Sequence, residues 1–471
     1  MIAGISKNVL IVPKLNKNID EKETFVPFHI DLRNGYLSDA GNWIKRHGNL
    51  QDSTNGWDLG TDLPVSCLIP KDGGYAVQTD NNIFALSGSA PPTGSVMSPR
   101  VLNGSSRPAW DEFGGDIIIV NGGVPAEISA GIVSALGGTP PHYHFIGRIG
   151  GYVLMAEKGG ITCRYSTVNN HEDWPTENFF NVKKQGVIKN MLILHENVYF
   201  LKDEHIEVWT QLGGTTPFAR IDSQTIEKGC GASYSALKAN DTFYWYGNDH
   251  EFYRWSGGTQ YEAISHGYGN RVKELLNPSE IYGLDFRNEN CIRWFAPTNG
   301  IVFKYGYKYN DFSEDNLWTS GQWKMLPYAS YMELNGKQYA GSSALDGLIY
   351  RIDKSFYTDN GSPVRVYRRF NIKLTEDGRQ ARINGFRFRG KRGAANSDVS
   401  NPVLVYRYKL PGQGWTSGTS IDMGIVGDSD PWIDDLGPKG IGREIEMEVW
   451  HTDATEFVLT DMQVIVNPMG R

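Results

Sequence analysis

The chain has 471 residues, of which 40% are hydrophobic, 12% are aromatic and 54 are glycine, and its formal net charge is −7. An acidic chain of this kind offers no general basic surface for nucleic acid, and no apolar run reaches the roughly 18 residues of a membrane-spanning helix. The many glycines and the scarcity of apolar residues at helical spacing predict an all-β protein of two or three domains. Cys67, Cys163, Cys230 and Cys291 lie far apart in sequence, so they are expected to be reduced and buried in a protein that folds in a cytoplasm.

Residues 1–54 have no long hydrophobic period and contain turn-forming triplets at 34–36, 39–41 and 46–48. They are predicted to form an extended N-terminal arm and a first strand. The first residues carry lysines but lack a long apolar core and a small-residue cleavage site, so no secretory signal is predicted. Two interpretations stay open: an arm that wraps a neighbouring subunit, and an irregular strand that leads into the next domain.

Between residues 55 and 355 the chain repeats a hairpin-like unit with alternating apolar residues and a short polar or glycine-rich turn. In one unit, Tyr199 and Leu201 precede a Lys-Asp-Glu turn, and Ile206 and Val208 follow it. The units begin near residues 75, 116, 152, 198, 243, 291 and 338.

Successive units start 36 to 48 residues apart, and a four-stranded propeller blade takes about 40 to 50 residues. A lone hairpin cannot bury a face, whereas radial repetition of hairpins leaves only short, protected edges. Residues 55–355 are therefore predicted to form a degenerate β-propeller of six or seven blades. A large β-sandwich of regular meanders is the alternative.

From residue 356 to residue 471 the pattern changes to longer alternating segments separated by polar loops, which predicts a C-terminal β-sandwich. Basic residues cluster early in this domain, while Asp428, Asp430, Asp434 and Asp435 lie in a late loop. Such segregation suits an electrostatic docking surface, because complementary patches steer partners and fix register. The predicted interaction residues are Arg365, Arg368, Arg369, Arg387, Arg389, Lys391 and Arg392.

A search for catalytic or metal-binding motifs predicts no catalytic, cofactor or metal site. His142 and His144 share one face of an extended segment but have no third ligand beside them in sequence. The aspartates at 311–315 and 428–435 do not follow the spacing of a calcium-binding loop. A propeller glycosidase would need two facing carboxylates. Its candidates are Asp203, Glu251 and Asp285, whose mutual distances a sequence does not give.

Tyrosine and tryptophan are plentiful, which would suit stacking on sugars or bases. Tyr244, Tyr246, Tyr253 and Trp255, however, occupy strand positions in one hairpin. Packing between blades is therefore the predicted role for these aromatic residues.

The centre of the chain carries a series of motifs in a fixed order. They are His205–Gly214, Pro217–Arg220, Ile226–Ala232, Tyr244–Gly247, Tyr253–Arg254 and Ala263–Ser265, preceded by Arg164–Ser166 and Asp173–Pro175. This series resembles the tail hub, or nozzle, proteins of short-tailed bacteriophages, also called packaged-DNA stabilisation or head-completion proteins. Asn34–Gly41 and Arg46–Gly48 resemble the N-terminal arm of that family, although the family usually has Arg-Pro-Gly where His47 stands here. The resemblance spans residues 30 to 355, and the C-terminal domain is matched only by its position.

The resemblance implies a structural virion protein without enzymatic activity and without membrane insertion. Its relatives form a hexameric ring below the portal and the adaptor protein in the virion tail, after assembly in the host cytoplasm. The ring extends and closes the DNA channel and offers attachment surfaces to tail fibres or spikes. The alternative is a carbohydrate-binding or depolymerising propeller protein of a phage tail.

The acidic composition agrees with a conduit for double-stranded DNA that is passed without sequence specificity. Lysine and arginine contacts to phosphates grip DNA, so a neutral or acidic wall would let it slide. The basic residues between Arg365 and Arg392 are therefore expected on a protein-facing or outer surface.

Overall fold

The computed structural model describes residues 7–10, 28–37, 42–52, 55–86, 95–214, 216–265, 268–308, 310–375, 378–425 and 430–469. Within these ranges the chain is almost entirely β-structure, and the α-helix is the short segment Gly269–Lys273. Five single 3-10 turns occur in the same ranges: Asp222–Gln224, Ser233–Ser235, Pro278–Glu280, Arg287–Glu289 and Pro297–Asn299. Among the residues described, no helix has the length and apolar character to cross a membrane.

The chain divides into two compact units. The propeller unit comprises Leu50–Ile301 and Pro327–Ile352. The sandwich unit comprises Met1–Asn49, Val302–Leu326 and Asp353–Arg471.

The propeller unit is a ring of antiparallel blades, most of them four consecutive strands joined by short turns. Blade 1 is Val65–Ile69, Tyr75–Gln78, Ile83–Ala85 and Ser95–Val96. Blade 2 is Ala109–Phe113, Asp116–Val120, Ala126–Ser129 and Ile132–Ala135. Blade 3 is Phe145–Ile149, Tyr152–Ala156, Thr162–Tyr165 and Phe179–Asn181. Blade 4 is Ile188–Leu194, Asn197–Lys202, Ile206–Gln211 and Phe218–Arg220.

The remaining blades complete the ring. Blade 5 is Leu237–Ala239, Thr242–Tyr246, Phe252–Gly257 and Gln260–Ala263. Blade 6 begins with the hairpin Tyr282–Phe286 and Cys291–Ala296. Blade 7 is Tyr328–Leu334, Lys337–Ser342 and Leu348–Asp353, with Trp57–Asp58 as its fourth strand. The predicted β-propeller is thus confirmed, with seven blades.

Blade 7 closes the ring with a strand from the other end of the unit. Trp57 pairs with Ile349, and Asp58 pairs with Leu348. The Trp57 ring packs on Tyr339 with the ring centroids 4.5 Å apart, in an apolar cluster that also holds Val65 of blade 1. The first and last parts of the propeller are therefore fastened by both hydrogen bonds and apolar packing.

Between blades the alternating apolar residues form continuous cores. Blades 4 and 5, for example, meet through Tyr199, Val208, Phe243 and Trp245. Tyr244 and Tyr246 are 1% exposed and Tyr253 is 5% exposed, which agrees with packing as the predicted role of the aromatic residues. All four cysteines are free and buried, as the sequence predicted.

The sandwich unit contains two main sheets. In sheet I the strands are, in order, Ile301–Gly306, Asp311–Glu314, Phe28–Arg33, Val366–Lys373, Glu444–His451, Val403–Lys409 and Thr419–Asp422. In sheet II they are Gly35–Leu37, Trp43–Lys45, Val458–Pro468, Ala381–Gly390 and Trp432–Gly442, with Lys7–Leu10 also pairing with Val458–Pro468. Smaller pairings involve Gly48–Leu50, Thr358–Asp359, Ser362–Pro363, Asn316–Thr319 and Gln322–Met325. Apolar residues of both sheets share one core, which confirms the predicted sandwich.

The N-terminal segment is built into the sandwich unit by a buried polar network. Arg46 donates from Nη1 to Asp359 Oδ1 at 2.9 Å and from Nε to Asn34 Oδ1 at 3.0 Å. Asn34 Nδ2 in turn donates to the Arg365 carbonyl oxygen at 2.8 Å. A buried arginine is tolerated because each donor meets an oxygen.

The compact units differ from the predicted boundaries 1–54, 55–355 and 356–471. The described residues up to Asn49 and those of Val302–Leu326 belong to the sandwich unit rather than to a separate arm or to the propeller. The reason is strand pairing between distant segments: Phe28–Arg33 pairs with Val366–Lys373 along its length. Hairpin periodicity indicates pairing between neighbouring segments but gives no information on pairing between distant ones. Residues 1–6, 11–27, 38–41 and 53–54 of the predicted arm lie outside the described residues.

Candidate interaction surface

Strand alternation separates the predicted basic residues into buried and outward-facing groups. Arg368 points into the sandwich core, where it is 3% exposed and its guanidinium lies 5.6 Å from the ring centre of Trp43. Burial lowers its pKa to about 9. Arg365 and Arg369 lie on the opposite, outward face of sheet I. Arg368 therefore cannot belong to a docking surface, and the prediction for this residue is wrong.

Arg365 is enclosed by aromatic rings. Its guanidinium lies 4.1 Å from the ring centre of Trp318 and 4.8 Å from that of Trp450, with Trp323 and Tyr367 each at 5.9 Å. Its Nε atom is buried without a hydrogen-bond partner, and burial lowers the pKa of the guanidinium to about 10. Cation–π stacking, rather than pairing with a carboxylate, thus holds this side chain in place.

The central strand of this face carries acidic residues between two basic rows. Glu446 accepts hydrogen bonds from Arg369 and, at 2.6 Å, forms an ion pair with Lys409. Glu448 pairs with Arg407. Partial burial raises the pKa of Glu446, but hydrogen bonds from Lys409 and Arg369 outweigh it and hold the pKa below its usual value. Glu446 is thus held in its ionised form between two cations.

A further tryptophan covers the basic rows. The Trp415 ring centre lies 5.5 Å from Arg369, 5.0 Å from Arg407 and 5.1 Å from Lys409. We name the outward side of sheet I the arginine–tryptophan face; it is formed by Arg365, Arg369, Arg407, Lys409, Glu446, Glu448, Trp415 and Trp450. Arginine and tryptophan are the residues most enriched at energetic centres of protein interfaces.

The outward side of sheet II carries a second, smaller basic patch. Arg387 forms a two-point hydrogen bond with Asp434, with Nε to Oδ1 and Nη2 to Oδ2 both at 2.8 Å. This pairing raises the pKa of Arg387. The guanidinium groups of Arg387 and Arg389 lie 5.2 and 5.5 Å from the Trp432 ring centre.

The charge segregation seen along the sequence is not preserved in space. Ala381–Gly390 pairs with Trp432–Gly442 in a register that places Arg387 opposite Asp434, and Lys391 forms an ion pair with Glu456. Arg392 is half-buried in the loop that follows. Since acidic and basic segments become neighbouring strands, the surface is a mosaic of pairs and not a basic field. Asp428 lies outside the described residues.

Glu207 and Gly229, two of the motif residues behind the resemblance, have structural roles. Glu207 is fully buried, and its carboxylate accepts from the backbone N–H groups of Lys183 at 3.1 Å and Lys184 at 2.7 Å. Lys202 Nζ is 3.1 Å from the same carboxylate. Burial opposes ionisation, but these hydrogen bonds lower the pKa of Glu207. The motif therefore ties the connection before blade 4 to that blade.

In the Lys-Gly-Cys-Gly part of the motif, the backbone at Gly229 passes close to the backbone at Asp203. A Cβ atom on Gly229 would lie 1.8 Å from the Asp203 carbonyl oxygen, and the N–H of neighbouring Cys230 donates to the Lys202 carbonyl at 2.8 Å. Only glycine fits at this position of the joint between blades 4 and 5.

The residues considered for metal binding or hydrolysis have separate local roles. His142 is exposed, whereas His144 Nδ1 accepts from the Lys158 N–H at 3.3 Å, and among the described residues neither belongs to a cluster of three ligating side chains. Asp285 pairs with Arg287 at 2.9 Å, and burial raises its pKa.

The other two carboxylates are also paired. Asp203 pairs with Lys189 at 3.0 Å, and Glu251 pairs with Lys273 at 3.5 Å. Asp203 lies in the turn between two strands of blade 4, and Glu251 lies in the corresponding turn of blade 5.

The chain is distantly similar to many solved structures, three of which are described here. No family model and no curated protein matches the chain. Virginiamycin B lyase from Staphylococcus aureus has a TM-score of 0.44 at 10% identity over 63% of this chain and 96% of that one. The Neurospora crassa Pan2 WD40 domain has a TM-score of 0.41 at 7% identity over 64% of this chain and 96% of that one. PorZ, a surface component of the type-IX secretion system of Porphyromonas gingivalis, has a TM-score of 0.41 at 10% identity over 71% of this chain and 44% of its own length. All three TM-scores lie below 0.5, so none of these similarities supports an argument about function.

Proposed function

We propose that this chain is a structural subunit of a bacteriophage tail hub, or nozzle, with no enzymatic activity. The observation that carries the proposal is the ordered series of family-like motifs between His205 and Ser265. These motifs coincide with the joint of blades 4 and 5, where Glu207 and Gly229 hold the backbone in place. The likeness therefore concerns residues that build the scaffold.

The arginine–tryptophan face supports an assembly role. Arg365 stacked between Trp318 and Trp450 presents a rigid, partly desolvated contact area. Rigid aromatic and arginine side chains lose little conformational freedom on binding and are typical interface anchors. In the proposed hexameric ring, this face contacts a neighbouring copy or the adaptor protein, and other outer surfaces receive tail fibres or spikes.

The net charge of −7 supports passage of double-stranded DNA without sequence specificity. A channel wall with few lysine and arginine contacts does not grip phosphates. In the proposal, the genome is therefore retained by a plug formed from loops or by a further tail protein.

The proposal is tested by an amber mutation in the gene for this chain in its own phage. Non-permissive hosts should yield heads that package DNA and then lose it, because the channel is not closed. Adding the purified chain to those heads should restore DNA retention, and electron microscopy should show a six-fold density below the connector. Complete, infectious particles assembled without the chain would refute the proposal.

The carbohydrate-active alternative is separated by a direct assay. The purified chain is incubated with capsule or lipopolysaccharide of the host, and new reducing ends are measured. We expect none, because the carboxylates considered for catalysis are each paired with a cation. Sustained turnover, or saturable glycan binding by a monomer, would favour the alternative instead.

A further inference from the structure

Three ligating side chains converge at the boundary of blades 2 and 3. Asp116 begins the second strand of blade 2, Glu127 lies on the third strand, and His171 lies in the loop between the third and fourth strands of blade 3. His171 Nε2 is 2.5 Å from Glu127 Oε1 and 3.7 Å from Asp116 Oδ2. One ligand atom from each residue lies within 4.8 Å of the others.

We propose that Asp116, Glu127 and His171 bind a divalent first-row transition-metal ion that fastens blade 2 to blade 3. Imidazole nitrogen and carboxylate oxygen bind such ions at about 2.0–2.2 Å, which separates neighbouring ligand atoms by roughly 3.3 Å in a tetrahedral site. The His171–Glu127 separation of 2.5 Å is shorter than this value and the His171–Asp116 separation of 3.7 Å is longer, so small side-chain movements would be needed to complete the coordination.

The histidine is held in place before any ion binds. The Trp174 indole N–H donates to the His171 carbonyl oxygen at 2.7 Å, and Trp174 is 2% exposed. The Phe113 ring packs against the imidazole with the centroids 5.3 Å apart. Thr167 closes the base of the loop through its hydroxyl, which donates to Asp173 at 2.6 Å. A ligand fixed by its own packing loses little freedom when a metal binds.

Burial and charge favour an ion at this position. The Glu127 side chain is 7% exposed and lies near a second carboxylate, that of Asp116. The site thus brings two carboxylate groups together, and a divalent ion would neutralise their negative charge. The Asp116 side chain is 25% exposed, so the cluster is partly open to solvent. The imidazole ligand favours ions of the zinc class over magnesium or calcium, which prefer oxygen ligands.

The sequence alone does not reveal this cluster. Asp116 and Glu127 approach His171 only because two neighbouring blades pack side by side, and no short motif links the three residues. The histidines with an evident sequence pattern, His142 and His144, are not part of it.

The test uses the untagged full chain, freed of metal with a chelator. Equilibrium dialysis with Zn²⁺ should give one bound ion per chain, and Co²⁺ should develop visible ligand-field absorption. Zn²⁺ should raise the unfolding temperature, because an ion that binds only the folded state stabilises it. Excess Mg²⁺ or Ca²⁺ should not compete.

Two site variants and one control separate the metal site from a simple hydrogen-bonded pair. Glu127→Gln keeps the side-chain shape and the hydrogen bond to His171, and His171→Ala removes the imidazole. Loss of a residue that only supports a ligand already weakens metal binding by about 10–100-fold, so loss of a ligand itself should weaken Zn²⁺ binding by at least that much, while the control His142→Ala binds normally. Circular dichroism of the metal-free proteins establishes that the variants fold. Zn²⁺ binding that both site variants retain, or no binding by the parent chain, would overturn the proposal.

Discussion

Arg387 and Asp434 face each other across neighbouring strands of sheet II and share two hydrogen bonds of 2.8 Å. They are 47 residues apart in sequence. Their pairing shows how a basic segment and an acidic segment become one neutralised surface. Because Asp434 lies against Arg387, a negative residue at position 387 would face a like charge.

We expect the double change Arg387→Glu and Arg389→Glu to weaken attachment of neighbouring tail components. The change places new negative charge beside Asp434 and removes two cations that stack on Trp432. The extent of this weakening should depend on the salt concentration, because exposed charges are screened by ions, while the rate of DNA ejection from assembled particles should stay nearly unchanged. Co-sedimentation at two salt concentrations and single-particle ejection assays measure the two effects.

Two further variants sharpen that experiment. Arg382→Glu alters an exposed arginine of the same strand and should attach normally. Adding Asp434→Arg to Arg387→Glu restores the ion pair in reverse and should recover part of any lost stability, which for an exposed pair is about 0.2–1 kcal/mol. Altered ejection without altered assembly would contradict an outer position for these arginines.

Arg365→Lys should impair assembly although it keeps the positive charge. Lysine cannot stack as a planar group between Trp318 and Trp450, and the lost cation–π energy is about 0.5–2 kcal/mol. Chemical denaturation measures the change in free energy of unfolding, and ring formation by electron microscopy measures assembly. Normal rings that also attach normally to the adaptor with Arg365→Lys would remove the arginine–tryptophan face from the proposed interface.

Glu207→Gln should lower the free energy of unfolding by about 3–5 kcal/mol, because it leaves Lys202 without its buried carboxylate partner. The folded-state pKa of Glu207 lies below its ordinary value of 4.5. Its contribution to stability is therefore present above pH 4.5 and is lost as the pH falls through the folded-state pKa. Between pH 7 and pH 3, the free energy of unfolding should accordingly fall less steeply with pH in Glu207→Gln than in the parent. Glu227→Gln, whose side chain is 71% exposed, is the control and should keep the parent's pH profile.

Gly229→Ala should destabilise the propeller by at least about 1–3 kcal/mol. The added methyl group would meet the Asp203 carbonyl oxygen at 1.8 Å, so the backbone would have to move. Gly414→Ala is the matched control, since nothing lies within 4 Å of its Cβ position. Thermal unfolding compares the two variants, and equal midpoints would show that the joint between blades 4 and 5 adapts.

The sequence predicted the parts of the fold that depend on neighbouring residues. Alternation around Tyr199 and Ile206 specified a blade hairpin, because side chains two apart share one face of a strand. Closure of the ring was not foreseen, since the strand Trp57–Asp58 has only two residues and pairs with Ile349 far along the chain. Nor does periodicity indicate that Phe28–Arg33 lies beside Val366–Lys373.

The candidate surface was predicted in composition but not in arrangement. Strand alternation turns Arg368 into the core while its neighbour Arg369 faces outward. The tryptophans that flank Arg365 come from Val302–Leu326 and Asp353–Arg471, two separate stretches of the sandwich unit. Such convergence depends on tertiary packing, which no local pattern encodes.

Closure of blade 7 has a consequence for synthesis of the protein. Trp57 leaves the ribosome about 290 residues before its partner Ile349, which at about 5–20 residues per second is a wait of roughly 15 to 60 s. During that time the growing propeller has an open seam with unpaired strand edges, which are prone to join other chains. Chains that terminate before residue 349 lack the strand that pairs with Trp57–Asp58. Amber fragments of this gene should therefore accumulate as aggregates rather than as smaller, folded rings.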